Sequence, residues 1–153
     1  MIQEFLRSVT LFAELDDDEL AQVLMVGAVR RHEEGAVIIT EGASGGQLHV
    51  LYTGRVRISK MVPGVGEEAL AILGPGDFFG EVEFFDHVPA SAHAIAHTGC
   101  EVFSIPHGEM AELMRSRPSL SAKFLWAFAR TLAGRLREAN HRMAGLFAIS
   151  RTF

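Results

Sequence analysis

The chain has 153 residues, of which 48% are hydrophobic, with a formal net charge of −5 at pH 7 and a pI near 5.8. This length and composition suit one domain with a real core and exclude a disordered chain. The acidic balance argues against nucleic acid as the main partner, because phosphate backbones are bound by clustered Lys and Arg. With a single cysteine, no secretory leader and no stretch of about 18 apolar residues, the protein is expected in the cytoplasm, away from membranes.

The first segment, residues 2–26, has apolar side chains at helical spacings. Three acids, Asp16, Asp17 and Asp18, precede Leu20. Acidic residues favour the positive end of a helix dipole, so they are typical of a first helical turn. We therefore predict two short helices, the second beginning near Asp16 or Asp17.

Residues 30–106 have a different texture, with short apolar runs separated by glycines. Turn signals every 8–12 residues or so, with many β-branched residues, predict an antiparallel barrel or sandwich. The segment "VPGVGEE", residues 62–68, is interpreted as a hairpin loop. Its Gly64-x-Gly66 lies between strands rather than before a helix, so it does not indicate a nucleotide fingerprint.

After Pro106 the pattern is helical again. A short helix should end near Pro118, because proline disfavours helix in the residue before it. A second helix, from about Ser119 to past Leu146, would be about 42 Å long and should project beyond a small barrel. Its apolar stripe follows a repeat close to 3.5 residues, which favours a homodimer through this helix over packing on the chain's own barrel. That stripe comprises Leu125, Phe128, Leu132, Leu136, Ala139, Met143 and Leu146.

Two segments carry a specific family resemblance. "EEGAVIITEGASGGQLHVLYTGRVRIS" resembles the first half of a cyclic-nucleotide-binding domain, and "LGPGDFFGEVEFF" resembles its phosphate-binding cassette. The long helix is similar to the dimer helix of the catabolite-activator (cAMP receptor protein) family. The resemblance implies a mainly β fold, an antiparallel jelly-roll barrel (a double-stranded β-helix) with N-terminal helices and a long C-terminal helix. The segments would be 1–28, 29–106 and 107–153, all in one domain. Because the sequence stops at Phe153, no helix-turn-helix and no DNA partner are expected.

The resemblance also implies a ligand site. In this family the backbone N–H groups at the start of a short helix point at the cyclic phosphate, and Glu81 would accept a hydrogen bond from the ribose 2′-hydroxyl. The family's second ligand contact, a small polar side chain on the long helix, would fall on Ala139 or Asn140. Asn140 would offer a donor and an acceptor to the base, unless it lies on the helix surface or in the dimer seam. The implied ligand-binding residues are Phe79, Gly80, Glu81, Val82, Pro89, Ala90, Ser91, Ala92 and Asn140.

At one position the sequence departs from the family pattern. Where the family has arginine to neutralise the phosphate, this chain has Ala90. A hydrogen bond to a charged group contributes roughly 1.5–3 kcal/mol, so its loss weakens binding roughly 10- to 150-fold. Acids are frequent nearby, and no Lys or Arg occurs between Lys60 and Arg115. We therefore expect weak cAMP or cGMP binding, an altered ligand, or none.

Three residues could replace the missing charge. A protonated His93 could reach the phosphate, or Arg55 or Arg57 could turn into the pocket. The alternatives are a barrel-wall histidine and two arginines at a solvent-facing strand edge, and the sequence leaves these open.

The predicted function is a non-catalytic regulatory or sensor module with a degenerate phosphate site. It would need no cofactor and would signal through the dimer helix to a separate output protein. One alternative is an assembly scaffold that binds no ligand, and a third is a small cupin-like barrel enzyme. Against the enzyme, His93 and His97 would be about 13 Å apart on a strand, too far to share a metal ion. Cys100 has no recognisable paired base, so no catalytic constellation is predicted.

Overall fold

The computed structural model describes residues 1–152. The helices are α1 Ile2–Ser8, α2 Asp17–Val26, α3 Glu81–Asp86, α4 His107–Ser116 and α5 Pro118–Thr152, with a 3-10 turn at Thr10–Phe12. The strands are β1 Ala28–His32, β2 Val37–Ile39, β3 Gln47–Thr53, β4 Val56–Val62, β5 Gly66–Leu73, β6 Phe78–Phe79, β7 His93–Ala96 and β8 Cys100–Pro106.

The strands form two four-stranded antiparallel sheets. Their orders are β1-β8-β3-β6 and β2-β7-β4-β5. Connections that cross between the two sheets give the jelly-roll arrangement that the resemblance implied, and the mainly β fold with flanking helices is confirmed. One hydrophobic cluster fills the space between the sheets, around Leu51, Val56 and Val102. A larger one lies between the first sheet and the helices, around Phe12, Phe103 and Phe124.

The predicted start of the second helix is confirmed by its cap. Asp16 is the N-cap of α2, and its carboxylate accepts from the Glu19 N–H at 2.8 Å. Glu19 Oε1 in turn accepts from the Asp16 N–H at 2.9 Å. This reciprocal capping box satisfies N–H groups that a helix start leaves unpaired.

The same Glu19 carboxylate is almost fully buried and is neutralised by α5. It is 1% exposed, and Lys123 Nζ donates to its Oε1 at 2.7 Å. Burial alone would raise the pKa of Glu19. The hydrogen bonds from Lys123 and from the Asp16 N–H outweigh burial, so the pKa lies below its ordinary value. The pair ties the N-terminal helices to α5.

Replacing Lys123 with methionine is expected to lower the free energy of unfolding at pH 7 more than the loss of an exposed ion pair would, because the buried Glu19 carboxylate loses a hydrogen-bond donor. Because the folded pKa of Glu19 is lowered, the pair stabilises the fold above the ordinary pKa, and this contribution is lost as the pH falls through the folded value. In the Lys123→Met variant, protonation of Glu19 removes the unpaired buried charge and so restores part of the lost free energy of unfolding. The difference from wild type should therefore shrink towards acid pH.

Urea unfolding at neutral and acid pH measures both effects. Arg115→Met is the matched control, because the Arg115–Glu112 pair is exposed and should contribute little. A Lys123→Met difference that stays constant with pH would contradict the expectation.

Helix α5 projects beyond the barrel, as predicted. Its 35 residues span about 52 Å at 1.5 Å per residue, and residues 135–151 are exposed without interruption. Residues 118–152 carry six Lys or Arg against one acid, Glu138, whereas the rest of the chain carries eight against eighteen. Positive charge is therefore concentrated on this helix.

The predicted apolar stripe of α5 is wrong at one residue. Phe128 is 4% exposed and packs in the chain's own core, with its ring 4.6 Å from that of Phe85 and 5.3 Å from that of Phe78. The exposed stripe instead alternates steps of four and three residues, so that it occupies positions a and d of a heptad. Its members are Leu125, Ala129, Leu132, Leu136, Ala139, Met143, Leu146 and Ser150. We call this exposed set the α5 stripe.

Candidate functional site

A cavity of about 520 Å³ lies between the second sheet, the start of α3 and the middle of α5. Its apolar wall is built by strands β2, β4 and β5, through Ile39, Ile58 and Leu73. Its polar wall combines the segment from Asp77 to Glu83 with side chains of α5. An apolar floor with polar groups on one side is typical of a small-molecule site.

Only glycine can occupy position 80 at the edge of this cavity. Gly80 is the N-cap of α3 and has a φ of 82°, in the left-handed region. A Cβ there would lie 2.7 Å from the backbone oxygen of Gln47 on β3. The glycine therefore lets the chain turn sharply into α3 while pressed against the barrel, and it places Glu81 on the cavity wall.

Ala90 is held by the loop after β2. Its N–H donates to the carbonyl of Ala43 at 3.0 Å, and its own carbonyl accepts from the Gly42 N–H at 2.8 Å. Its residue surface is 4% exposed, and it is not among the residues that line the cavity. The following residues, Ser91 and Ala92, do line it.

The cation nearest to Glu81 comes from α5. Arg135 Nη1 donates to Glu81 Oε1 at 2.8 Å, and its guanidinium carbon lies 4.3 Å from the centre of the Phe78 ring. The ion pair and the cation–π contact together fix the arginine along the cavity wall. Arg135 thus connects α5 directly to the Gly80–Glu81 turn.

A second arginine of α5 lies one heptad further on. Arg142 lines the cavity and is 3.6 Å from Glu138, a loose and exposed pair. The sequence-based expectation that an anion would meet acids without a cation is therefore wrong. Two guanidinium groups face four carboxylates, those of Asp77, Glu81, Glu83 and Glu138.

His93 lines the cavity from β7, but one ring nitrogen is already engaged. Its Nδ1 accepts from the Glu41 N–H at 3.0 Å. Acceptance at Nδ1 requires that the ring proton of the neutral histidine lie on Nε2. With Nδ1 engaged by the backbone of Glu41, only Nε2 of His93 is left for a contact inside the cavity.

Arg57 of β4 and Arg55 of the turn before it, the two other candidates for the missing charge, do not line the cavity. Arg57 makes a bidentate pair with Glu67 of β5, at 2.7 and 3.3 Å. Hydrogen bonds from Arg57 and from Ser59 lower the pKa of Glu67 to about 2. Arg55 donates to the carbonyl of Gly54 at 3.0 Å.

The residues implied by the resemblance fall into two groups. Those that line the cavity are Phe79, Gly80, Glu81, Val82, Ser91 and Ala92. Those that do not are Pro89, Ala90 and Asn140, of which Asn140 lies on the exposed surface of α5. Sequence reasoning missed Arg135 and Arg142 as site residues. Their separation of seven residues, which places them on one face of a helix, was the available signal.

The histidines and acids do not assemble elsewhere into a metal centre. Within residues 1–152, no three His, Cys, Asp or Glu side chains are grouped so that they could hold an ion. Cys100 is 3% exposed, and burial raises the pKa of its thiol, which disfavours the reactive thiolate.

Comparison with known proteins identifies the family. Residues 29–117 match the family model described as the cyclic nucleotide-binding domain. The chain belongs to the cyclic-nucleotide-binding domain family. The match contains the barrel, the Gly80–Glu81 turn and α4.

Relatives of this cyclic-nucleotide-binding domain include two curated regulators. It is 33% identical to the CRP-like cAMP-activated global transcriptional regulator of Mycobacterium tuberculosis over 112 residues, which are 73% of this chain and 48% of that protein. It is 32% identical to the cyclic AMP receptor protein of Thermus thermophilus over 130 residues, 85% of this chain and 58% of that protein. The chain thus spans about half the length of the curated relatives it matches.

A solved structure extends the similarity to α5. The N-terminal domain of a transcriptional regulator from Streptomyces coelicolor A3(2) superposes with a TM-score of 0.76 at 32% identity, covering 91% of this chain and 94% of that one. These relatives support a regulatory or sensor module. Separately, the described helices include none with the length and apolarity needed to cross a bilayer.

Proposed function

We propose that this domain is a ligand-responsive module that binds a cyclic nucleotide weakly, at a phosphate site that lacks its usual arginine. The observation that carries the proposal is the position of the cation: it lies on α5, at Arg135, and not at position 90. Position 90 offers only a buried methyl group, while Arg135 of α5 lies on the cavity wall in contact with Glu81. The charge that meets the phosphate therefore comes from the helix rather than from the cassette.

The position of Arg135 would couple the ligand to α5. An anion that enters the cavity competes with Glu81 for Arg135, and the ribose hydroxyl competes with Arg135 for Glu81. Binding therefore has to rearrange the Arg135–Glu81 ion pair, which joins the α3 turn to α5. A ligand that favours one of two arrangements shifts the population between them, which is a sufficient mechanism for signalling.

The output is proposed to pass through a homodimer of α5. The α5 stripe repeats over eight a and d positions, and its large members are between 42% and 66% exposed in the single chain. Leu125, Leu132 and Leu146 occupy position d, where a paired helix buries its apolar side chains. A second copy of the same helix is therefore the partner with a matching repeat.

Charge favours a parallel pair. Arg135 and Arg142 occupy position g, which flanks the stripe. In a parallel pair, position g faces position e of the partner, so Arg135 meets Asn140 and Arg142 meets Phe147. In an antiparallel pair centred on the stripe, g faces g, and Arg135 would meet Arg142, a repulsive contact. The parallel pair would also bring Asn140 of the partner subunit towards the ligand cavity, although the chain's own Asn140 lies outside it.

The module would act on a separate output protein, without catalysis and without a required cofactor. Its one cysteine is free and buried, which suits the reducing cytoplasm. A scaffold that binds no ligand is the second candidate. It is favoured by the Arg135–Glu81 pair itself, because that pair already occupies the carboxylate that a ribose would need.

Calorimetric titration with cAMP and cGMP separates these candidates. Wild type is expected to bind one of them with a Kd weaker than about 1 μM, and Arg135→Gln should weaken binding at least about tenfold. Arg137→Gln is the matched control, because Arg137 lies two residues away on the outer face and does not line the cavity. Binding by wild type that Arg135→Gln leaves unchanged would refute the role of the helix. Absence of heat for wild type at millimolar ligand would favour the scaffold.

A further inference from the structure

The most exposed large hydrophobic side chain near the barrel end of α5 is the chain's one tryptophan. Trp126 is 67% exposed, far more than an indole normally is. It follows Leu125 and so occupies position e, beside the α5 stripe rather than in it. A side chain at e of a parallel pair lies against position g of the partner.

The g side of α5 faces α3. Phe128 at g contacts Phe85 of α3, and Arg135 at g pairs with Glu81. The g residue of the preceding heptad is Ser121, which is the residue that Trp126 of the partner would face.

An apolar groove of about 440 Å³ lies at that point, between α3, α4 and α5. We call it the α3 groove. Its main lining residues are Phe84, Phe85, Met114, Ser121 and Leu125. Arg115 borders the same groove, and a guanidinium beside an indole is a favourable neighbour. The groove shares Phe85 and Leu125 with a second apolar hollow, whose lining includes two further members of the α5 stripe, Ala129 and Leu132.

We propose that Trp126 of each copy docks in the α3 groove of the other. The inference rests on the proposed parallel dimer and deepens it, because it names what covers the groove. The contact is isologous: Leu125 belongs both to the stripe and to the groove, so one two-fold axis closes both grooves at once. Each α3 would then be touched by the partner subunit, which places the Gly80–Glu81 turn one short helix away from the dimer contact.

The single tryptophan makes the test direct. In the dimer, its emission should be blue-shifted and poorly quenched by iodide. On dilution to monomer, or in the dissociating variant Leu136→Lys, emission should shift to the red and quenching should rise. Met114→Gln, which makes the groove polar, should red-shift the emission of a protein that is still dimeric. Trp126→Ala should weaken self-association about tenfold or more, while Arg130→Ala, which lies beside the N-terminal segment of its own chain and outside the α5 stripe, should not.

The possible failures are distinguishable. A dimer whose Trp126 is quenched as readily as in the Leu136→Lys monomer overturns the docking and leaves the dimer standing. A wild-type protein that is monomeric at all concentrations by sedimentation overturns the proposed dimer and the docking together. Unchanged emission in a dimeric Met114→Gln protein overturns the assignment to the α3 groove.

Discussion

Replacing Ala90 with arginine is expected to tighten cAMP binding roughly 10- to 150-fold, the value of one hydrogen bond to a charged group. The family resemblance places arginine at this position, and the backbone there is already anchored by the Ala43 carbonyl and the Gly42 N–H. The neighbouring Ser91 and Ala92 line the cavity, so a long side chain at 90 has a short path to it. Calorimetric titration of both proteins measures the change.

Two controls make this result interpretable. Ala90 is buried, so any large side chain strains its site, and Ala90→Gln tests the effect of length without charge. Thermal unfolding of each variant shows whether the fold has survived. If a folded Ala90→Arg protein binds no better than wild type, either Arg135 and Arg142 already neutralise the phosphate or the ligand is not a cyclic nucleotide.

Replacing Leu136 with lysine is expected to weaken self-association more than about 100-fold. Burying a leucine contributes about 1.5–3 kcal/mol, and a symmetric pair loses this twice. The two lysines would also repel each other at the centre of the seam. Sedimentation across a concentration series measures the loss. Ala144→Lys adds the same charge on the outer face of α5 and should leave association unchanged.

The orientation of the pair can be read with cysteine. In a Cys100→Ser background, Leu136→Cys should form an intermolecular disulfide on mild oxidation, because a parallel pair brings each seam position against itself. Arg137→Cys, one residue away on the outer face, should not. A dimer that forms no disulfide at position 136 would contradict the parallel arrangement and, with it, the position proposed for Trp126.

Most of the fold could be predicted from the sequence because helix ends and turns are determined by residues close together along the chain. Asp16 predicts the start of α2 because an N-cap bonds only to residues within the first helical turn. Pro118 predicts the end of α4 because proline restricts the residue directly before it. The family resemblance predicted the Gly80–Glu81 turn. The structure adds the reason for the glycine, because a Cβ at position 80 would clash with the backbone oxygen of Gln47. What remained hidden was the position of α5 relative to the barrel, which is set by tertiary packing of Phe124 and Phe128.

The unknown position of α5 relative to the barrel accounts for the wrong predictions about the cations at the site and about Phe128. A search for cations along the chain near Ala90 finds none, whereas folding brings Arg135 to Glu81 from 54 residues away. The same unknown placed Phe128 in the stripe, because a repeat of three and four residues does not say which of two adjacent apolar residues faces the core. Ala129 is exposed and Phe128 is not, and only packing decides between them.

The concentration of basic residues on α5 has a consequence for the conditions under which the protein would respond. In a parallel pair each of the arginines at position g faces a neutral residue, but two copies of this basic helix still repel each other over a longer range. That repulsion is screened by salt, over a Debye length of about 10 Å at 0.1 M. Rising ionic strength would therefore assist the pairing of the helices. The same ions weaken the attraction between the arginines of α5 and an incoming anion. Assembly and ligand capture would thus respond to ionic strength in opposite directions.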